Sequence, residues 1–316
     1  MADRNKLLIL AVVSIVVAAL FIGVGLTADN YQYFLSRRVP KVLAIVLAGV
    51  AIGQSSLVFQ TITGNRILTP SVMGFDSLYM LTQVIVVVLF GGLSSFTLNA
   101  YLNFSVSVVV MMLFSTALFA FYFRSQKRNL MSLLLLGVIL GQLFSNIGSF
   151  FTMLLDPNDF TAIQSKMFAS FNNIKVGLVY FCTPVLLVLS VLLYRMHRTL
   201  DVFWLDQDNA ISLGVDVRSM TLKTLLLSAG LIAISTALIG PIMFFGLLVT
   251  NLTREFIANY RHKVLLTAVS LLSIASLLTG QWVIENIFEF STTLSVVINF
   301  IGGIYFLSML LRNKVV

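Results

Sequence analysis

Apolar residues fill the chain in ten long runs, near residues 7–26, 40–60, 77–93, 104–123, 130–154, 174–194, 219–238, 241–252, 264–281 and 292–311. A helix that crosses a bilayer needs about 20 apolar residues, so the pattern predicts an all-α polytopic membrane protein of about ten transmembrane helices. The eighth run is short, because Gly240-Pro241 breaks it on one side and Asn251, Thr253 and Arg254 end it on the other. The first run is long for a signal peptide, lacks a small-x-small cleavage site and is followed by further spans, so it reads as a helix. Two polar interruptions stand out. One is the segment 156–175, which mixes Phe160, Phe168 and Phe171 with Asn172 and Asn173, as suits contact with a large amphipathic ligand or an interfacial helix.

The other is the island 195–218, with a short helix-like piece, Asp206, Gln207, Asp208, Asn209, Ala210, Ile211, Ser212, Leu213 and Gly214. Asp206 suits a helix start, Asp208 suits the positive end of the helix dipole, and Gly214 suits a left-handed stop. Ala210, Leu213 and Val217 fall at i, i+3, i+7 and predict one small apolar face. Either a partner receives that helix or the island is a solvated loop; spacing alone leaves both open.

Charge orients the spans. With both termini inside, fifteen of the 20 Lys and Arg residues fall in inner loops; only Arg37, Arg38, Lys41, Lys166 and Lys175 lie outside. That asymmetry obeys the positive-inside rule and places 206–214 in the cytoplasm. Arg37, Arg38 and Lys41 cluster against the bias at the mouth of the second span. They either snorkel beside Tyr31 and Tyr33 or form a basic patch for an acidic partner surface, and the patch is the expectation taken forward. The chain is 59% hydrophobic, with mean hydropathy +1.00, so its net charge of +8 belongs to short loops and implies no nucleic acid.

Chemistry is sparse. There is no G-x-x-x-x-G-K-[ST], and the loose dinucleotide match at Gly23, Gly25 and Ala28 has no strand before it. Gly49 with Gly53, and Gly137 with Gly141, have the spacing of close helix packing in lipid. Cys182 is the single cysteine, and His197 and His262 lie in loops, so a metal cargo would have to arrive already chelated. Asp76 is expected near the inner end of span three, and Glu285 and Glu289 near the outer end of span nine. With nothing titratable expected at mid-depth, a proton-coupled secondary transporter is disfavoured but stays open. No clustered nucleophile, base or metal set supports an enzyme. Span five carries Gln142, Ser145, Asn146, Ser149 and Met153, a polar stripe that either glues helices or lines a water-filled path.

Several motifs follow one another along the chain. Arg38-x-Pro40-Lys41-x-Leu43-Ala44 is similar to R-x-P-R-x-L-A and continues into Ala48-Gly49 and Gln60. Asn65-Arg66-Ile67-Leu68-Thr69-Pro70-x-x-x-Gly74 resembles N-P-L-A-x-P-x-x-x-G, and Lys166-Met167-Phe168-Ala169-Ser170-Phe171 resembles W-x-x-G-S-x. Phe245-Gly246-Leu247, with Arg254 downstream, resembles F-x-G-L-x-x-P-H-x-x-R, and Ile301-Gly302-Gly303-x-x-Phe306 resembles L-G-A-P-x-F. In this order they resemble the FecCD family, the permeases of ABC importers for iron–siderophores, haem and cobalamin, and Ala210-x-x-Leu213-Gly214 resembles that family's coupling-helix A-x-x-L-G. Departures are Lys41 for the second arginine, Arg66 for proline, Thr250-Asn251 for Pro-His and Ile304 for the last proline. The stretch 168–172 further resembles permeases of catecholate-type siderophore systems.

The resemblance implies a type II importer permease fold of one transmembrane domain, 1–316, with a cytoplasmic coupling segment at 200–217. It implies a bacterial cytoplasmic membrane, a second FecCD-type permease, two ATP-binding subunits carrying ATP and Mg²⁺, and an extracytoplasmic siderophore-binding protein; this chain itself would bind no cofactor. Docking of the binding protein falls to Arg37, Arg38 and Lys41, and ATPase coupling to 206–214. The translocation path falls to Gln142, Ser145, Asn146, Ser149 and Met153, with Phe168, Phe171 and Asn172 at its mouth. Haem or cobalamin import by the same machinery is the alternative.

Overall fold

The computed structural model describes residues 2–27, 29, 31–123, 130–172, 174–204 and 207–311. The described residues form helices α1 (Ala2–Gly23), α2 (Tyr31–Thr63), α3 (Phe75–Phe90), α4 (Ser95–Leu98), α5 (Ala100–Phe123), α6 (Leu130–Met153) and α7 (Pro157–Met167). There follow α8 (Val176–Arg195), α9 (His197–Phe203), α10 (Gln207–Ser212), α11 (Val217–Ile239), α12 (Phe245–Phe256), α13 (His262–Asn286) and α14 (Leu294–Leu311). Each of the ten apolar runs coincides with a helix. Seven of these are long and apolar enough to cross a membrane, whereas α3 and α14 are shorter. The eighth run becomes α12, which starts four residues later than expected and has 12 residues, about 18 Å at 1.5 Å per residue, too short to cross the hydrocarbon core. The segment 156–175 is partly helical: Pro157 at the first position of α7 leaves no unmet donor.

Helix α2 is the hub, packed by α13, α11, α8, α12 and α1. It runs 33 residues, and its part from Val42 to Ile62 is almost wholly buried. Small residues explain the close company: a Cβ on Gly49 would stand 3.3 Å from the backbone of Ile274, and one on Gly53 3.3 Å from the Val269 carbonyl. Both glycines therefore seat α13, as their spacing predicts. Intramembrane polar pairs add to the packing. Gln54 donates to Ser270 at 3.0 Å and accepts from Ser190 at 2.7 Å, joining α2 to α13 and α8; Gln83 donates to Ser107 at 2.8 Å, joining α3 to α5.

The second glycine pair has a different partner. After α2 the chain enters a 3₁₀ turn, Pro70–Met73, which packs on α6 at Gly137 and Gly141. Gly74, at φ +90°, turns the chain into α3; a Cβ there would lie 2.5 Å from the Gly141 Cα. Gly141 is the twelfth of the 24 residues of α6, so α3 begins halfway along α6 and its 16 residues cover the remaining depth. The sequence places Asp76 near the inner end of its span. This joint instead lifts it to the middle of the bundle.

Candidate transport site

Beside that joint lies a cavity of about 420 Å³. Helix α3 contributes Asp76, Ser77 and Met80, and α6 contributes Phe144, Ser145, Ser149 and Met153; Met167, Phe168, Met243 and Asn299 close it. Ser145, Ser149 and Met153 are exposed on the flank of the chain, so the cavity opens sideways along α6, where Val138, Ile139, Leu143 and Phe150 are also uncovered. Four of the eight expected path residues thus meet: Ser145, Ser149, Met153 and Phe168. Gln142 and Asn146 lie on the same helix outside the cavity, with Gln142 donating to Asn146 at 3.1 Å. Phe171 is buried in the core. The loop that holds it is pinned where Ser170 N–H donates to the Ile239 carbonyl at 2.9 Å and where a Cβ on Gly240 would stand 2.9 Å from the Ala169 Cα. Sequence reasoning did not connect Asp76, Met243 and Asn299 with the stripe on α6, because they come from three separate segments and share no period with it.

Asn172 belongs to a second cluster. Its Oδ1 accepts from Lys41 Nζ and from Gln281 Nε2, both at 3.0 Å. Glu285 Oε1 accepts from the same two groups, at 2.9 Å from Lys41 and 2.6 Å from Gln281. Lys41 is therefore held inside an ion pair that ties α2, α13 and the 168–172 loop. Arg38 donates to the carbonyls of Ile22 and Val24 at the end of α1, where a cation offsets the helix dipole, and stacks over Phe34 at 4.6 Å. Arg37 is exposed and lies over the Tyr33 ring at 4.9 Å. On α7 the Lys166 ammonium is buried with no hydrogen-bond acceptor among the described residues, and desolvation holds its pKa below the usual lysine value.

At the other end, α10 covers Gln207–Ser212, while Asp206 lies outside the described residues. The helix ends as Gly214 requires. With φ +81° at Gly214, Val215 N–H donates to the Ala210 carbonyl at 3.0 Å and Gly214 N–H to the Ile211 carbonyl at 2.9 Å, the paired bonds of a Schellman stop. The expected apolar face is redistributed. Ala210 is fully buried, whereas Ile211 and Leu213 are 60% and 63% exposed. A helix of under two turns is too short for periodicity to separate its faces. Helix α9 anchors this unit: Asp201 Oδ1 accepts from the His262 backbone N–H at 2.6 Å and faces its Nδ1 at 2.8 Å, and His262 Nε2 meets Thr61 Oγ1 at 2.9 Å. Helices α9 and α10 are thereby tied to the start of α13 and the end of α2. Among the described residues no group of three His, Cys, Asp or Glu side chains is placed to hold a metal ion.

Residues 5–312 match the model of the FecCD transport family. The chain belongs to that family. FecCD relatives include the petrobactin import system permease protein YclO of Bacillus subtilis (strain 168), 46% identical over 99% of each chain. The petrobactin import system permease protein FatC of Bacillus anthracis is 32% identical, over 92% of this chain and 82% of its own. An inward-facing metal-chelate type ABC transporter shares the fold, with a TM-score of 0.85 at 22% identity over 98% of this chain and 99% of that one. This FecCD chain is accordingly a transport permease subunit of the membrane and not an enzyme.

Proposed function

We propose that this FecCD permease carries ferric siderophore, of catecholate type, through the bacterial cytoplasmic membrane as part of an ATP-driven importer. The observation that carries this reading is the 46% identity, spread over 99% of both chains, to a permease named for petrobactin import. In this reading ten segments traverse or enter the membrane and both termini are cytoplasmic. A second FecCD-type permease, different from this one, covers the open flank of α6, so that the path runs between the two chains through Ser145, Ser149 and Met153. Two ATP-binding subunits, holding ATP and Mg²⁺, receive Ile211 and Leu213 of the coupling helix. A siderophore-binding protein docks on the outer face around Arg37, Arg38 and Lys41, with Arg37 the most available of the three.

The coupling helix offers the sharpest test. Gly214 has open space around it, so Gly214→Val strains only the left-handed stop. The variant is expected to reach the membrane in normal amount and to keep hydrolysing ATP, while iron uptake in proteoliposomes with the partner subunits falls about tenfold or more, because coupling needs contacts that differ between nucleotide states. Normal uptake by that variant would remove α10 from the mechanism. If the tagged chain purified from its membrane without any ATP-binding subunit, the importer reading itself would fail.

A further inference from the structure

Asp76 is 3% exposed, and among the described residues neither carboxylate oxygen has a hydrogen-bond partner of good geometry. The Ser71 side chain is a weak hydrogen-bond donor to it. A buried carboxylate so weakly partnered is costly anywhere, and most of all inside a membrane. Such a group persists where something transient satisfies it. Asp76 lines the 420 Å³ cavity, and among the described residues no Lys, Arg or His shares that wall.

The rest of the lining narrows the ligand. A hard divalent ion wants six or more oxygens, usually with several carboxylates, and here there is one carboxylate. The cavity also has far more room than a small bare ion would fill. The same cavity is lined by Ser77, Ser145 and Ser149, which bring hydroxyls, by Met80 and Met243, which bring thioethers, and by the ring of Phe144. That mixture suits an alkylammonium: N–H donors on the carboxylate and hydroxyls, methylenes on the methionines, and positive charge near an aromatic ring.

We propose that Asp76 receives a protonated amine carried by the ferric chelate, so that the cavity orients its cargo amine-first and keeps the anionic iron-binding core at a distance. This rests on the reading of the cavity as part of the transport path. The probes are a ferric catecholate chelate with secondary amines in its backbone and the same chelate N-acetylated, each loaded to saturation on the binding protein. Uptake is followed with the complete importer in proteoliposomes. The wild type is expected to carry the amine form at least about tenfold faster, the scale of a charge-assisted hydrogen bond. Asp76→Asn should erase that preference by slowing the amine form alone, and Asp76→Glu should restore it. Equal transport of both probes by the wild type, or equal slowing of both by Asp76→Asn, overturns the proposal. Ser149→Trp separately tests the path: it should stop both probes, and uptake at the wild-type rate would overturn the path reading whatever Asp76 does.

Discussion

Gly74→Val is expected to abolish folded permease, with Gly141→Val close behind. At Gly74 two penalties coincide. The backbone sits at φ +90°, a region that costs an L residue about 1–2 kcal/mol, and β-branched valine is among the worst suited to it. The new Cβ would also stand 2.5 Å from the Gly141 Cα and 2.9 Å from the Gly141 nitrogen. Those are backbone atoms inside α6, so no side chain can swing away, and overpacking of this kind costs about 1–3 kcal/mol or more. Together they remove about 2–5 kcal/mol or more, a large share of typical domain stability. At Gly141 the backbone is helical, and its Cβ would meet the Gly74 Cα at 2.7 Å, so the steric part alone applies. Gly303→Val is the control, since nothing lies within 4 Å of its Cβ position. Detergent-extracted protein on a size-exclusion column, with a thermal ramp, reads the result. A monodisperse Gly74→Val peak with an unchanged melting midpoint would refute the tight joint between the 70–73 turn and α6.

The same joint shows what the sequence could and could not carry. Helix positions were legible, because an apolar run of about 20 residues has few other homes. The Gly214 stop was legible too, since it depends on one local residue type. Asp76 was not. Its depth depends on the Pro70–Met73 turn halting on Gly137 and Gly141, about 65 residues later in the chain, and no local pattern records where one glycine will meet another. Counting from the span end placed Asp76 near the cytoplasm, and the argument that nothing titratable sits at mid-depth fell with that placement. Asn172 shows the same limit. As an amide among phenylalanines it read as the mouth of a path, yet it accepts hydrogen bonds from Lys41 and Gln281, which come from two other segments. Glu285, read as a group a proton-coupled transporter would use, already has a partner in Lys41.

That ion pair is the second place where a large effect is expected. Lys41→Met leaves Glu285 with one fewer donor, and Glu285→Gln leaves Lys41 without its counter-charge. Both side chains are only 18–19% exposed, between a surface pair worth about 0–1 kcal/mol and a buried one whose breakage costs about 3–5. Each single change is therefore expected to cost about 1–3 kcal/mol, read as a lowered melting midpoint of the purified complex. The double variant should be less damaged than the sum of the two, because removing both charges strands neither. Additive losses would mean that the 2.9 Å contact contributes no coupling. Uptake then separates the strut from the docking surface. If the double variant holds its fold and still imports iron from the loaded binding protein, Lys41 serves the interior and docking falls to Arg37, whose reversal in Arg37→Glu should raise the concentration of binding protein needed without moving the melting midpoint. If the double variant folds yet no longer responds to binding protein, Lys41 serves both roles, and the ion pair with Glu285 becomes the link through which docking outside reaches α13, and through His262 and Asp201 the coupling helix inside.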